Sequence, residues 1–421
     1  MIDVPRGVKA LLYEEASLKN WVENEVLSVF TKWGFQKTET PAIEFLHVLS
    51  KGLEQNDLRR IITFSDPAGG GKPLALRSDV TPQIARISAT TLKNRPAPIR
   101  LSYAESVFRS IAPGSGNRME VFQAGAELIG SSTPETDAEI IAIAIESLTA
   151  LGFNDIKIAV GHIGYVKETI ESLGLGTESE KLIKQAIRKK DLNGIAKVLN
   201  AKPVNEKART AIENITKLFG DVSLLDKVET VNDKAEEAVK NLREVVAVLE
   251  RLGLGDRVTI DLGEMRGFGY YTGVTFEGFI KGTGRSVLTG GRYDKLLSAY
   301  GADRPATGFA IDIDQVIASF DKSEKRKEWS STNVLVIGTN GSSEQAGRLA
   351  QELRKSGFSV ARDIIMRPLE ESLEYARRMK ISYAVITEVD GKIKIIDTKT
   401  GNESAVETAN LLSDPASFIR I

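Results

Sequence analysis

The chain has no cysteine and only two histidines, His47 and His162, among its 421 residues. Without cysteine it can form no disulfide, thiolate-bound zinc site, iron–sulfur cluster or cysteine nucleophile. Two imidazoles also exclude a histidine-rich metal site and most histidine-based catalytic triads. We therefore predict packing roles for both histidines and expect neither a metal site nor a cofactor.

The chain also lacks an excess of charge of either sign and any long apolar run. It has 56 Lys and Arg against 57 Asp and Glu, a net charge of −1, so its total charge does not favour nucleic acid or an anionic membrane. No apolar run approaches the ~18 residues of a membrane span. The segment Met1–Gly7 has neither the basic start nor the apolar stretch of a secretory signal. A cytoplasmic protein with no membrane partner is expected.

A length of 421 residues exceeds the usual size of one hydrophobic core, so more than one domain is predicted. A charged, serine-containing stretch interrupts the chain near residue 323, and a regular alternation of strands and helices begins at Val334. The predicted division is a core at 1–322, a linker at 323–332 and a C-terminal α/β domain at 333–421.

Within the core, a Lys- and Glu-rich helical texture at about 165–252 interrupts segments that read as strands. Short apolar runs between Leu74 and Gly130 are punctuated by glycine, proline and charge, which favours antiparallel strands. Strand character returns from Val258 to Ile280. The predicted fold class is therefore α+β, an antiparallel sheet carrying a helical insertion.

Four separated segments contain side chains suited to one kind of ligand. They are Leu76–Gln83, Phe108–Glu127, Arg266–Glu277 and Gly290–Asp294 with the following Gly308–Ala310. Acidic and polar groups can meet an ammonium group and a ring N–H, arginines can meet a carboxylate, and tyrosines can flank a planar ring. These candidates are Asp79, Thr81, Gln123 and Glu127, then Arg109 and Arg266, then Tyr270 and Tyr271. The set would suit a zwitterionic amino acid bearing an imidazole.

In their order along the chain and in their residues, these segments resemble motifs of the histidyl-tRNA synthetase family. The family hallmark RGxDYYxxTVFE reads RGFGYYTGVTFE here, and the GGRYD motif is intact. The resemblance implies a class II synthetase-like core with a six- or seven-stranded antiparallel sheet, a dimer-forming motif at Thr40–Glu44, and a C-terminal anticodon-binding-like domain. It also places all eight candidates on histidine-binding positions. Glu127 and Tyr271 would recognise the imidazole, while Asp79, Thr81 and Gln123 would hold the amino end.

The departures from the synthetase pattern fall on the positions that engage ATP. The FRxE segment ends in Ile111 instead of glutamate, and the loop after it, 112–117, has no arginine. The Glu-Arg end of the third class II motif reads Asp314-Gln315. Losing one fixed donor to a developing negative charge typically costs ~10²–10³ in rate. We therefore predict that the chain has no catalytic residues and does not activate histidine.

These changes resemble a branch of the family, the regulatory subunits of ATP phosphoribosyltransferase. The segment DVTPQIARI beginning at Asp79 matches that branch, where synthetases carry EGT. The resemblance implies a non-catalytic subunit that pairs with a short catalytic subunit in the first step of histidine biosynthesis. L-histidine would be the feedback effector, and the chain would be a homodimer within a hetero-oligomer.

Two alternatives stay open from the sequence alone. One is an active histidine–tRNA ligase, which the retained C-terminal region favours; the other is a free-standing amino-acid-binding or tRNA-binding paralogue. Residues 333–421 carry 12 Lys and Arg against 12 Asp and Glu. Because phosphate neutralisation dominates affinity for nucleic acid, this balance argues against tRNA as a partner.

Overall fold

The computed structural model describes residues 4–51, 53, 58–111, 118–265, 267, 269–320, 332–339, 341–388 and 392–420. The described residues within 1–9 and 21–325 form one compact unit, and those within 10–20 and 326–421 form a second. Of the predicted linker 323–332, only Thr332 belongs to the described residues. None of the described helices has the length and apolar character needed to cross a bilayer.

The first unit is built on a nine-stranded sheet and a small three-stranded sheet. The strands are β1 (Gln36–Lys37), β2 (Ile43–Phe45), β3 (Thr63–Phe64), β4 (Leu74–Leu76), β5 (Ile99–Phe108), β6 (Glu120–Ile129), β7 (Ile156–His162), β8 (Phe219–Gly220), β9 (Val258–Asp261), β10 (Val274–Ile280), β11 (Leu288–Arg292) and β12 (Ala306–Asp312). The large sheet has the order β1-β5-β6-β12-β11-β10-β7-β9-β8, and the small one β2-β4-β3.

Six consecutive strands of the large sheet, β5-β6-β12-β11-β10-β7, pair antiparallel. This agrees with the α+β prediction and its antiparallel core. The sheet is wider than predicted because β1 adds in parallel to β5 at one edge, and β9 adds in parallel to β7 at the other. A third strand, β8, pairs antiparallel with β9. β1 and β8 have two residues each, too few to show an alternation, whereas β9 opens the stretch from Val258 in which strand character was predicted.

Helices of this unit cover the sheet and form the predicted insertion. Outside the insertion they are Leu46–Leu49, Thr81–Ala89, Pro134–Ala150, Asp294–Ser298, Ile313–Phe320 and the part of Glu14–Lys32 from Trp21 onward, since residues 10–20 group with the second unit. In the insertion they are Ile163–Glu171, Thr177–Arg188, Leu192–Asn200, Glu206–Ile215 and Asp233–Arg251, with a 3₁₀ turn at Val222–Lys227. A second 3₁₀ turn, Gly255–Arg257, follows the end of the insertion. The helix Thr81–Ala89 differs from the prediction of strands alone between Leu74 and Gly130. Seven of its nine residues are buried, so it shows little of the one-sided pattern that identifies a surface helix.

The second unit has a five-stranded sheet with the order β14-β13-β15-β16-β17. Its strands are β13 (Val334–Gly338), β14 (Val360–Arg362), β15 (Tyr383–Thr387), β16 (Lys392–Asp397) and β17 (Glu403–Glu407), and its helices are Ser343–Lys355, Leu369–Arg378, Thr408–Ser413 and Pro415–Phe418. The predicted alternation of strand and helix holds through β15, with parallel pairs around β13. The antiparallel strands β16 and β17 were not predicted.

Both histidines have local structural contacts. The ring of His47 stacks on Phe45 with centroids 5.4 Å apart. His162 precedes the helix Ile163–Glu171, and its Nδ1 accepts a hydrogen bond from the Gly164 N–H at 3.1 Å. Burial lowers the pKa of His162 to about 4, so its ring is neutral at pH 7.

Candidate functional site

Seven of the eight predicted ligand residues line one cavity in the first unit. The seven are Asp79, Thr81, Arg109, Gln123, Glu127, Tyr270 and Tyr271. The eighth, Arg266, lies outside the described residues. Residues from β11, β12 and the turn between strand and helix after β11 complete the lining: Thr289, Gly308, Phe309, Ala310 and Tyr293.

The antiparallel register of the sheet places the two residues from β6 on the cavity wall. Gln123 and Glu127 are four residues apart, so their side chains point to the same face of the strand. Glu127 pairs with Gly308 on β12. A Cβ at Gly308 would collide with the Glu127 carboxyl group, so this position must stay glycine for the carboxyl to reach the cavity.

Asp79 and Thr81 come from the turn that starts the helix Thr81–Ala89. The Asp79 Oδ1 accepts a hydrogen bond from the Thr81 N–H at 3.2 Å, which orders the turn. Pro82 occupies the first turn of the helix, where its missing N–H is not needed. The turn thus presents one carboxylate and one hydroxyl to the cavity.

Glu127 lies at the bottom of the cavity and is only 1% exposed. Its Oε1 accepts a hydrogen bond from the Thr81 hydroxyl at 2.7 Å, and its Oε2 accepts one from the Tyr293 hydroxyl. Burial raises the pKa of Glu127 to about 8, although both hydrogen bonds act to lower it. At pH 7 this carboxyl is therefore mainly neutral, and it can donate as well as accept a hydrogen bond.

Three tyrosine rings form an aromatic wall beside Glu127. Tyr270 meets Tyr271 edge to face, with centroids 5.1 Å apart, and lies 5.4 Å from Tyr293. Burial keeps the pKa of Tyr270 and of Tyr293 well above the usual value, so both hydroxyls stay protonated. Tyr270 and Tyr271 lie in the turn before β10, which begins at Val274, and not on a strand as predicted. The turn lets neighbouring side chains both reach the cavity, whereas a strand would alternate them.

Several polar atoms around the cavity have no hydrogen-bond partner among the described residues. The hydroxyls of Tyr103 and Tyr270 approach Thr81 without completing a hydrogen bond, and the Gln123 Oε1 is also unsatisfied. Buried polar atoms are nearly always paired in folded proteins. Their clustering here suits a small polar ligand that would pair with them.

Sequence reasoning missed two tyrosines and a glycine of this site. Tyr293 belongs to the Gly-Gly-Arg-Tyr-Asp motif, and the motif by itself does not indicate that this tyrosine reaches Glu127. Tyr103 lies on β5, is fully buried, and has no motif around it that could have identified it. Gly308 could be assigned only once its partner across the sheet was known.

Arg109 stands between this cavity and a second, larger one. Its Nε donates to the Ser78 carbonyl oxygen at 2.9 Å, and the residue lines both cavities, as Gln123, Thr289 and Ala310 also do. The larger cavity has a volume of about 770 Å³.

Charged groups of both signs line the larger cavity. Arg118 forms an ion pair with Asp314, whose other oxygen accepts the Phe122 N–H at 3.1 Å. Burial raises the pKa of Asp312 to about 6, while its bond from the Gln315 N–H and the charges of Arg109 and Arg118 oppose that rise. Gln315 itself also lines this cavity. The larger cavity is therefore lined by carboxylates as well as arginines.

Among the described residues, no group of three or more His, Asp or Glu side chains is arranged to hold a metal ion. The cavity thus combines neutral hydroxyls, the neutral carboxyl of Glu127, the half-buried carboxylate of Asp79 and the guanidinium of Arg109. Such a set can bind and orient a small zwitterion with a planar ring.

Comparison with known proteins identifies the family. The family model of histidyl-tRNA synthetase matches residues 7–316. Two relatives described as ATP phosphoribosyltransferase regulatory subunits are similar over nearly the whole chain. The one from Geobacter sulfurreducens is 36% identical over 98% of this chain and 95% of its own length. The one from Geobacter metallireducens is 39% identical over 90% and 87%.

Solved structures show the same fold. A crystal structure from Bacillus halodurans C, described as an ATP phosphoribosyltransferase regulatory subunit/histidyl-tRNA synthetase, is 26% identical, with a TM-score of 0.79 over 89% of this chain and 96% of that one. The histidyl-tRNA synthetase of Nostoc sp. PCC 7120 is 24% identical, with a TM-score of 0.83 over 99% of each chain, which shows the shared fold. The chain belongs to the histidyl-tRNA synthetase-like family and, within it, to the ATP phosphoribosyltransferase regulatory subunits.

Proposed function

We propose that this chain is a non-catalytic regulatory subunit that works with a short catalytic ATP phosphoribosyltransferase subunit in the first step of histidine biosynthesis, and that it binds L-histidine as the feedback effector. The observation that carries the proposal is the single cavity lined by seven of the eight residues matched to histidine-binding positions. The names of the relatives support the partner and the pathway.

The chemistry of the cavity favours histidine over other amino acids. The guanidinium of Arg109 would meet the ligand carboxylate, and Asp79 with Gln123 would meet its ammonium group. The ring would lie against Tyr270 and Tyr271, with one ring nitrogen at Glu127. A neutral Glu127 can both donate to and accept from a neutral imidazole, which an aliphatic side chain could not exploit.

The same residues argue against histidine activation. Adenylate formation would need fixed donors for phosphate oxygens in the larger cavity. There Gln315 replaces the arginine of the synthetase motif, and the carboxylates of Asp312 and Asp314 lie beside Arg109 and Arg118. The lining of that cavity has four arginines, Arg60, Arg109, Arg118 and Arg285, against three acids, Glu277, Asp312 and Asp314. Its charge is therefore mixed, and what opposes activation is the missing arginine at Gln315 together with the missing glutamate at Ile111.

The homodimer in this proposal would form through the segment at Thr40–Glu44. On β2, Ile43 and Phe45 are 48% and 38% exposed while Glu44 between them is buried. Exposed apolar side chains on one face of a short strand are typical of a surface that pairs with another copy.

Histidine binding is tested by isothermal titration of the full chain. Glu127→Ala removes the group expected at the imidazole, and Tyr271→Phe removes one hydroxyl, so both should weaken binding, the first by about tenfold or more. The matched controls are Glu135→Ala on an exposed helix start and Tyr383→Phe in the second unit, which should bind as the wild type does. Equal affinity of the Glu127 variant and its control would exclude this cavity as the histidine site.

The loss of activation chemistry is tested by histidine-dependent exchange between ATP and pyrophosphate. We expect no exchange above background from the purified chain, with a histidyl-tRNA synthetase as the positive control. Exchange at a rate typical of a synthetase, or charging of tRNA, would instead establish the ligase alternative.

The partnership is tested by mixing the chain with the short catalytic subunit from the same genome and measuring phosphoribosyl transfer to ATP. The complex should be active, and histidine should inhibit it while leaving the Glu127→Ala complex active. Inhibition requires histidine to bind one state of the complex better, typically by ~1–3 kcal/mol. Identical inhibition of both complexes would contradict a histidine site in this subunit.

A further inference from the structure

The most uneven distribution of charge in the molecule lies in residues 181–209, here called the basic segment. It contains nine Lys and Arg against two Asp and Glu, a net charge of +7 in a chain whose net charge is −1. The segment runs through the helical insertion, from the middle of the helix Thr177–Arg188 to the helix Glu206–Ile215. These two helices are joined through Leu192–Asn200, which packs against both.

Most of these cations point into solvent. Seven are exposed: Lys181, Arg188, Lys189, Lys190, Lys197, Lys202 and Lys207. Among the described residues, the side chains of Lys181, Lys189, Lys197, Lys202 and Lys207 take part in no hydrogen bond or ion pair. The two acids of the segment offset little of this charge: Asp191 accepts the Gly194 N–H at 2.9 Å, and Glu206 lies 3.8 Å from the Nε of Arg209, one of the nine cations. The positive charge is therefore not compensated within the segment.

The fold itself accounts for only part of this charge. The helix dipole stabilises cations near the end of the helix Thr177–Arg188, so it explains the presence of Arg188 and its neighbours. Lys181 is in the middle of that helix, and Lys202 lies between helices. Lys207 is the second residue of the helix Glu206–Ile215, where the dipole disfavours a cation.

Two apolar side chains are exposed among these lysines. Leu182 is 47% exposed and Leu192 is 53% exposed. Each belongs to a helix whose other face is buried, through Ile183 and Ile187 in one and Ile195 and Leu199 in the other. Exposed apolar side chains near exposed charged ones in the sequence suit a protein interface, which has an apolar centre and a polar rim.

We infer that the basic segment is the docking surface for an acidic face of the catalytic subunit; this inference rests on the proposed function. An acidic face would neutralise the lysines and cover Leu182 and Leu192. Nucleic acid fits less well, because residues 177–217 contain no aromatic side chain on which a base could stack, and the exposed cations are lysines apart from Arg188.

Long-range charge attraction mainly accelerates association, and buried apolar contacts mainly slow dissociation. The inference therefore assigns different kinetic effects to the lysines and the leucines. Reversing three of the lysines should slow association, whereas shortening the leucines should speed dissociation.

The experiment measures association of the full chain with the catalytic subunit at several salt concentrations. The charge-reversal variant carries Lys181→Glu, Lys197→Glu and Lys207→Glu. The control carries Lys32→Glu, Lys93→Glu and Lys295→Glu, which are exposed and change the total charge equally. We expect the first variant to associate about tenfold more slowly at moderate salt, with a weaker salt dependence, and the control to match the wild type.

A second variant, Leu182→Ser with Leu192→Ser, should raise the dissociation rate without changing the salt dependence.

Total tRNA is the probe for nucleic acid as the alternative occupant of the basic segment. The inference is overturned if the charge-reversal variant associates like its control, or if the reversal abolishes tRNA binding and leaves assembly unchanged. Either result leaves the proposed function standing, because the wild-type complex still forms. If the wild-type chain fails to assemble with the catalytic subunit at all, both are overturned.

Discussion

At the scale of single residues, the carboxyl of Glu127 decides the character of the ligand site. It has two hydroxyl donors, from Thr81 and Tyr293, and the structure places the Asp79 carboxylate on the same cavity. Burial has the largest effect on the pKa of Glu127. It outweighs the two hydrogen bonds, and the pKa therefore rises to about 8. A glutamate in a motif is ordinarily taken to be ionised, so its neutral state could not be inferred from the sequence.

The raised pKa of Glu127 predicts a pH-dependent stability. Between the usual pKa of 4.5 and about 8, the folded chain holds a proton that the unfolded chain has released. The stabilisation linked to this group is therefore complete below the lower pKa and is lost as the pH rises through the upper one, by about 1.4 kcal/mol per pH unit between them.

The measurement is the free energy of unfolding of the full chain from pH 6.5 to 8.5, for the wild type and for Glu127→Gln. His162 and Asp312, with pKa values of about 4 and about 6 in the folded chain, are present in both proteins, so their contributions cancel in the difference between the two curves. Stability should fall with rising pH in the wild type and fall less in the variant. Parallel curves would mean that Glu127 does not titrate in this range.

Tyr293→Phe tests the hydrogen bond to the same carboxyl. That bond lowers the pKa of Glu127, so removing the hydroxyl should move the pH dependence to still higher pH. It should also lower the free energy of unfolding by about 1–3 kcal/mol, because a buried oxygen loses its donor. The control is Tyr383→Phe in the second unit. A pH dependence identical to the wild type would show that the two groups are not coupled.

At the scale of helices and strands, buried polar contacts fix where a helix meets the sheet, which the apolar pattern of the sequence does not specify. Asp137 lies in the first turn of the helix Pro134–Ala150, and its carboxylate binds a side chain of the sheet. Its Oδ2 accepts the Nε–H of Arg292, at the end of β11, at 3.0 Å, and both side chains are nearly fully buried. Arg292 also donates to the Ser131 carbonyl oxygen at 3.0 Å. This ion pair joins the helix start to the sheet beside Tyr293.

Breaking this ion pair should be strongly destabilising. Arg292→Met leaves the Asp137 carboxylate buried without its cation, at an expected cost of about 3–5 kcal/mol in the free energy of unfolding. Adding Asp137→Asn to the variant should restore much of that loss, because no unpaired charge is then buried. Denaturant unfolding of the single and double variants provides the measurement, and the exposed pair of Arg348 with Glu344 is the control. Equal losses for the buried and exposed pairs would contradict the argument.

At the scale of the whole molecule, the ligand cavity depends only on residues of the first unit. All of its lining residues lie between Asp79 and Ala310. The C-terminal region has its own two apolar clusters around β13 and β15, as expected of a separately packed unit.

A chain truncated at residue 322 should therefore still bind histidine with an affinity close to that of the full chain. The segment 10–20 groups with the second unit, so the truncated chain should be less stable even where the cavity is intact. Titration with histidine, alongside circular dichroism to verify folding, makes the measurement. A truncated chain that is folded yet does not bind would place part of the binding determinant beyond residue 322.

The sequence by itself determined the fold class, the helical insertion and the family, because these depend on residue order, periodicity and motifs. The nearness of Tyr103 and Tyr293 to Glu127, the need for glycine at position 308 and the neutral carboxyl were decided by the tertiary structure alone. Strand pairing brings Glu127 next to Gly308, which is 181 positions further along the chain. Exclusion of water, which raises the pKa of Glu127, arises only when the surrounding strands and helices have packed.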